Sequence, residues 1–168
     1  MRSDTLQREG GEPVREVAVD AQALRANQLG VSAFPPTSPE IEARIRAATV
    51  KIKPHEASFS AQMEHMLHGG MYARTARIAP AMAFTSVLIK LPTVVIVHGE
   101  CCVYLNGKWE PMSGYQVLAA SAHRIQAYVT FSETEITMLF PSDAKTVEEA
   151  EREFTDEADE LLSRRSTQ

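Results

Sequence analysis

The chain has 168 residues, 44% of them apolar and 23% charged, with a formal net charge of −5, which suits one globular domain with its own core. No run approaches the ~20 apolar residues of a membrane-spanning helix. The first residues, Met1 to Glu9, carry acids and no apolar stretch, so neither a secretory nor a transit signal is expected and the location expected is cytoplasmic.

Charge and cysteines exclude more. Residues 148–160 hold eight acids against Arg152, a local charge of −7 that leaves the remainder of the chain at +2. That remainder is too weakly basic for a phosphate-backbone stripe, and neither nucleic acid nor membrane is expected as a partner. Cys101 and Cys102 are the only cysteines. Adjacent side chains on a strand diverge, so no disulfide framework is implied.

In chain order, residues 1–14 have the composition of a tail with little to bury. Val14 to Leu29 carry Val17, Ala18, Ala21 and Leu24 at helical spacing, with Gly30 as a stop. Val31 to Thr37 include Pro35-Pro36 and form an extended arm. A helix starts at Ser38 as N-cap, with Pro39 at the first position, acids Glu40 and Glu42 in the first turn, and an apolar stripe of Ile41, Ile45 and Ala48. Val50-Lys51-Ile52-Lys53-Pro54 alternates like a short edge strand.

From Met71 onward, strand-length runs are separated by turn residues at short intervals, the pattern of a sandwich or barrel. Strands are expected at 73–79, 83–89, 93–98, 101–105, 115–119, 125–130 and 135–140, with breaks that include Gly99, Asn106-Gly107 and Gly114. Asn106-Gly107 is the strongest turn signal, because a two-residue hairpin needs positive φ at both positions; Val103 and Tyr104 should pair back on Lys108 and Trp109. After Pro141 the chain becomes helical: Thr146 and Glu149 form a capping box, and Val147, Ala150, Phe154, Ala158 and Leu161 make a docking stripe. The acidic remainder of that helix is expected to face solvent. The organisation expected is a tail, arm and short helices over 1–60, a β-barrel over 65–141 and an acidic helix over 142–168 that docks on the barrel or on a neighbour.

The order Gly70-Met71-Tyr72-Ala73-Arg74-Thr75, Ile78-Ala79-Pro80, Val94 to Glu100 and Asn106-Gly107 resembles the cupin superfamily. It is similar in particular to small phage-encoded cupin proteins, with Phe140-Pro141-Ser142 before a glutamate-rich segment. The resemblance covers about residues 65 to 160. It implies a mainly β fold, a small antiparallel cupin-type, jelly-roll-like barrel with an N-terminal helical and extended arm and a C-terminal helix. Metal-binding cupins carry two histidines and a glutamate in a first motif and a histidine in a second. The matching windows here, Thr85 to Pro92 and Gly114 to Gln126, put Leu88, Ile89 and Gln126 in or beside those positions. No cofactor is expected.

The other candidates follow from chemistry. His65 and His68, three apart, would face one metal from a helix, and His98, Glu100, Cys101 and Cys102 cluster around a turn; these are the weak metal candidates, and their bland readings are structural or solvated histidines and buried thiols. Tyr72, Arg74, Lys90, His123, Arg124 and Tyr128 are the candidates for a polar rim that recognises an anion or a sugar, against a bland reading in which the cations pair with acids and the tyrosines pack. No Gly-x-Ser-x-Gly, phosphate-loop or His-Glu-x-x-His motif occurs.

The function expected is a non-catalytic, phage-type module that acts by homo-oligomeric assembly, as a virion structural or accessory protein with other virion proteins as partners. The alternatives are a small-molecule binder or metal-independent cupin isomerase, and then a metal-dependent cupin enzyme.

Overall fold

A computed structural model describes residues 33–56 and 61–161; the expected tail and the helix over 14–29 lie outside the described residues. The element order is α1 (Pro39–Glu56), β1 (Gln62–His68), β2 (Met71–Ile78), β3 (Ala83–Thr85), β4 (Thr93–Leu105), β5 (Lys108–Ala120), β6 (Ala127–Thr130), β7 (Thr134–Pro141), α2 (Val147–Phe154) and a 3-10 turn (Ala158–Glu160). Strand neighbours run β1-β2-β7-β4-β6-β3, with β5 on the other edge of β4. Every strand ladder is antiparallel, and the sheet curls into a half-barrel.

The curl is organised by the hairpin β4-β5. The two strands pair along their whole length, from Thr93↔Ala120 to Leu105↔Lys108, and turn at Asn106-Gly107 with φ of 50° and 82°, the positive pair that this dipeptide accommodates. The opposite edge of β4 is shared: Val94 to His98 pair with β7 and Cys101 to Val103 with β6. The changeover is at Gly99, which faces Gly114 across the hairpin. Both glycines have positive φ, 133° and 74°, so both strands bend without ending. Two wings result: β1-β2-β7 continues from the N-terminal half of β4, and β6-β3 from its C-terminal half.

Alternation along β4 and β5 turns Val95, Val97, Cys101, Val103, Met112 and Leu118 inward. With Phe34, Ile78, Phe84 and Tyr128 they form the largest buried cluster. Burial of each aliphatic side chain contributes about 1.5–3 kcal/mol. Phe34 belongs to the arm, which is tied to the end of β5 by Phe34 N–H donating to Ala119 O at 3.2 Å and Ser121 N–H donating to Phe34 O at 2.8 Å. α1 covers the outer side of the β6-β3 wing, with Ile45 buried against Ile125 and Ala127 and Thr49 Oγ1 2.8 Å from Thr85 Oγ1.

Several expectations change. Residues 50–54 are the end of α1 and not an edge strand; Val50 is exposed, so the apolar and basic alternation there does not mark a buried face. The run 83–89 stops at Thr85, and 101–105 and 115–119 are pieces of longer strands. His65 and His68 lie on β1, not on a helix. The following Gly69-Gly70 is its hairpin turn, with φ of 59° and 73°. The C-terminal helix ends at Phe154, earlier than its stripe suggested, because Thr155 is extended.

A Cβ on Gly99 would lie 2.6 Å from Glu133 O and 2.7 Å from Thr134 Oγ1, whereas one on Gly70 would meet nothing within 4 Å. Gly99→Ala is therefore expected to lower stability by about 2–4 kcal/mol, through steric strain added to the φ penalty. Gly70→Ala should cost about 1 kcal/mol. Urea unfolding midpoints of the two variants check the ranking; equal losses would remove the special role of Gly99.

Candidate functional site

The inward end of the β1-β2-β7 wing is where the polar candidates begin. Alternation on β2 sends Tyr72 and Arg74 to the same side, and the register sets Tyr72 opposite Phe140 and Arg74 opposite His65 and Met138. α2 lies over them. Its N-cap Thr146 accepts from Glu149 N–H at 3.2 Å, while the Glu149 carboxylate accepts from Lys145 N–H at 2.7 Å, a variant of the expected box. The helix buries Ala150, Glu151 and Phe154.

Phe154 is the hub of this end. Its ring stands 6.4 Å from Tyr72 and 5.8 Å from Phe140, and the Arg74 guanidinium sits 6.0 Å above it, within cation–π range. Tyr72, fully buried, shares a 2.7 Å hydrogen bond with His65 Nδ1. Burial pushes the Tyr72 phenol well above its ordinary value, with Arg74 opposing. Burial and then Arg74 push His65 below its ordinary value, while Glu151 and Glu148 oppose. Burial lowers Arg74 too, against Tyr72 and Glu151. Glu151, 1% exposed, corrects the expectation of a wholly solvated acidic face. It lies three residues before Phe154, at the border of the apolar stripe, and that spacing was the signal for it.

The remaining candidates lie elsewhere. Lys90 joins the α2 end: its N–H donates to Phe154 O at 2.7 Å, and Nζ donates to Asp156 Oδ1 at 2.7 Å and Arg152 O at 3.2 Å. Arg124 is 2% exposed and straps three segments: Nη1 donates to Leu91 O at 3.1 Å and Ser121 O at 2.6 Å, and Nη2 donates to Thr93 Oγ1 at 2.6 Å. Burial lowers its pKa to about 10, so it stays cationic at neutral pH. Tyr128 is buried with its ring stacked 5.0 Å from Phe84, and burial raises its phenol. His123 is exposed in a turn with φ of 55°, and its carbonyl accepts from Thr37 N–H at 2.9 Å. Tyr72, Arg74 and Lys90 are thus gathered around Phe154, Arg124 and Tyr128 are packed inside, and His123 faces solvent. They do not line one open rim.

The metal candidates are not brought together either. On β1, His65 and His68 point to opposite sides, since an odd spacing on a strand separates them. His98 is on the outer face of β4, its ring 6.1 Å from Tyr115 and its Nδ1 3.9 Å from Glu135. Cys101 is buried, and burial pushes its thiol up to about 11, while Cys102 points to the other face. Among the described residues no three of His, Cys, Asp or Glu converge. A surface cleft of about 360 Å³ opens beside the Gly69-Gly70 turn, lined by His68, Asp143 and Lys145 among others, and one of about 290 Å³ lies at Arg77, Glu133 and Glu135. The first abuts the inward cluster through Leu67 and Ala144.

The architecture defines a mainly β protein, an antiparallel half-barrel closed at one end by a C-terminal helix. No family model and no curated protein matches the chain. Solved structures similar to it include the Cupin_2 domain of an XRE family transcriptional regulator from Enterobacter cloacae, with 14% identity and a TM-score of 0.40 over 48% of this chain and 97% of that one. KdgF from Halomonas sp. has 16% identity and a TM-score of 0.42 over 54% and 91%. A cupin superfamily protein from Desulfitobacterium hafniense has 14% identity and a TM-score of 0.42 over 50% and 79%. Likeness of this degree carries nothing about what the chain binds. Among the described residues no helix is long and apolar enough to cross a membrane.

The His65 shift gives a pH dependence with a definite sign. Its folded pKa lies below its ordinary value of 6.5, so the unfolded chain takes up a proton that the folded chain resists. Stability is full above the unfolded pKa and falls as pH drops through it toward the folded value. Denaturation midpoints measured between pH 7.5 and pH 5, a window of roughly one unit or more on each side of an unperturbed histidine, should fall for the native chain. They should fall less steeply for His65→Gln, which keeps a partner for Tyr72. Parallel slopes for the two proteins would assign the loss to other groups.

Proposed function

We propose that the protein is a non-catalytic cupin-type module that works by assembly, as a homo-oligomer of the phage kind, with a role as a virion structural or accessory component. One observation carries the reading. The inward end of the half-barrel, where a ligand would enter, is occupied by the chain's own Phe154 packed on Tyr72 and Phe140, with Met138, Leu161 and Ile89 buried in the same cluster. A binding site needs a concave space with a few convergent polar groups. Here Tyr72 bonds His65, Lys90 bonds Asp156, and Arg124 bonds three oxygens.

Surface features favour association. Met66, Trp109, Tyr115 and Phe131 are all at least half exposed, and large aromatics and methionine are the side chains that protein interfaces favour. Among the described residues β1 pairs with β2 alone and offers its other edge. Light scattering on the size-exclusion peak is expected to give at least twice the mass of the chain at roughly micromolar concentration, the affinity range of a standard interface. A monomer at that concentration would sink the assembly reading.

A second reading, an anion- or sugar-binding protein, is favoured by Arg124. Its buried guanidinium has no carboxylate partner among the described residues, and its Nε lacks a hydrogen bond. A rise in melting temperature with added phosphate or sugar phosphate, absent with chloride at equal ionic strength, would put this reading first.

A further inference from the structure

Among the described residues the sheet has three edges, β1, β3 and β5, and they are protected unequally. β3 has three residues, too few to guide a second strand. β5 is long, but its outward edge is broken up. In a hairpin closed by two turn residues the flanking pair is hydrogen-bonded, so the next residue on each strand turns its N–H and C=O to the other side, and so on alternately. On β5 this sends Trp109, Pro111 and every second residue up to Ala119 away from β4, and Ala119 O indeed accepts from Phe34 N–H. Pro111 has no N–H to offer there, Gly114 bends the strand, and Phe34 bridges its end. A proline, a bend and a covering segment are devices that keep a sheet edge from recruiting other chains.

β1 carries none of them. Gln62–His68 runs for seven residues without proline, glycine, lysine or arginine, a length of about 24 Å. Its hairpin closes at His68↔Met71 over Gly69-Gly70, so the same alternation directs the backbone N–H and C=O of Met63, His65 and Leu67 away from β2. Among the described residues no strand pairs with them. The strand is also complementary to itself. Laid antiparallel on a second β1 with His65 facing the partner's His65, all three outward residues pair on both strands, which makes about six backbone hydrogen bonds. On the half-buried side Met63 then faces the partner's Leu67. On the exposed side Gln62 faces the partner's His68, and Glu64, the one carboxylate of the strand, faces the partner's Met66. An axis at Glu64 would instead bring the two carboxylates together, which is destabilising. An axis at Met66 would leave Met63 beyond the partner's strand, with about four bonds.

We infer that the protein associates through β1, paired antiparallel with β1 of a second copy about a two-fold axis at His65, so that two half-barrels share one continuous sheet. This rests on the assembly reading above and names the surface it uses. Strand addition of this kind draws affinity from main-chain bonds and selectivity from alternate side chains, and the two-fold axis makes the interface isologous. Each copy has one such edge, and the pairing uses it up. Growth beyond a dimer therefore needs a different surface.

The test uses two full-length proteins, Glu64→Cys and Met66→Cys, each also carrying Cys102→Ser because Cys102 is partly exposed. Mixed, left to exchange and oxidised with a glutathione couple, they should form a mixed disulfide, since positions 64 and 66 face each other as a non-hydrogen-bonded pair with Cα atoms about 4.5 Å apart. Its yield should exceed that of either protein alone about tenfold. Met63→Pro removes an outward N–H and spares the bonds to β2. It should weaken dimerisation, followed by light scattering against concentration, about tenfold or more, because two of the six or so bonds are lost. Circular dichroism checks its fold, and if it misfolds the cysteine pair decides alone. A chain that is dimeric by light scattering yet gives no mixed disulfide overturns this inference and leaves the assembly reading standing, whereas a monomer removes both. Two further results overturn it: Met66→Cys linking to itself as readily as to Glu64→Cys, or a folded Met63→Pro with unchanged dimerisation.

Discussion

At Gly99 the backbone of β4 comes into contact with the turn that joins β6 to β7. The space a side chain would take is filled by Glu133 O and Thr134 Oγ1. Around that contact the hydrogen bonds run both ways: Glu100 N–H donates to Ser132 Oγ at 2.9 Å, and Phe131 N–H and Thr134 Oγ1 donate to Glu100 O at 2.8 and 3.3 Å. The turn is thus fastened to the point where β4 gives up β7 and takes β6. A side chain there would push the turn away and separate the two ladders. Gly114, opposite, lets β5 follow the bend. The curl of the sheet, and with it the existence of an inside, follows from this close approach.

Once the sheet curls, the inside has to be filled from two directions. The arm delivers Phe34 to one end, and α2 delivers Ala150 and Phe154 to the other. Between them lies Arg124, a cation buried at a cost of several kcal/mol unless its donors are met. Its Nη1 and Nη2 are met by Leu91 O, Ser121 O and Thr93 Oγ1, and in meeting them the side chain fixes the 86–92 loop against the 121–124 turn. Ile89 N–H and Arg124 O close the same gap at 2.8 Å. Lys90, placed by that loop, then receives the end of α2. The charged residues of the interior act here as tie points between segments that have no regular pairing of their own.

What could be read from the chain follows the same division between local and long-range causes. Asn106-Gly107 was legible because its chemistry alone demands a hairpin, and the start of α2 because Thr146 and Glu149 cap locally. β1 was not legible: Gln62–His68 is an edge strand with alternating exposed and half-exposed residues, and its histidines, read at helical spacing, suggested a shared metal. Gly69-Gly70 after it was the overlooked signal. Gly99 and Gly114 were read as breaks because a glycine inside a strand and a glycine after one look alike until the contact that requires it is known. The dispersal of the rim residues was hidden for another reason. Tyr72, Arg124 and Tyr128 are polar at one end and long enough to reach inward, and the sequence does not say which way they point.

The inward polar groups are also spent on one another, and this bears on where recognition is to be sought. Tyr72 holds His65, Glu151 lies buried among them, and Lys90 holds Asp156. A ligand entering this end would have to displace Phe154 and leave these groups without partners, at about 1–3 kcal/mol for each neutral group and more for the charged ones. The outer surface carries no such penalty. There the apolar row Met66, Ala73, Leu139, Val94 and Ala119 gains by being covered, and Glu64, Thr75 and Thr137 in the adjoining row set a polar boundary to whatever covers it. Free energy for association is thus available outside the half-barrel and costly to obtain inside it, which is the physical content of reading the fold as a scaffold.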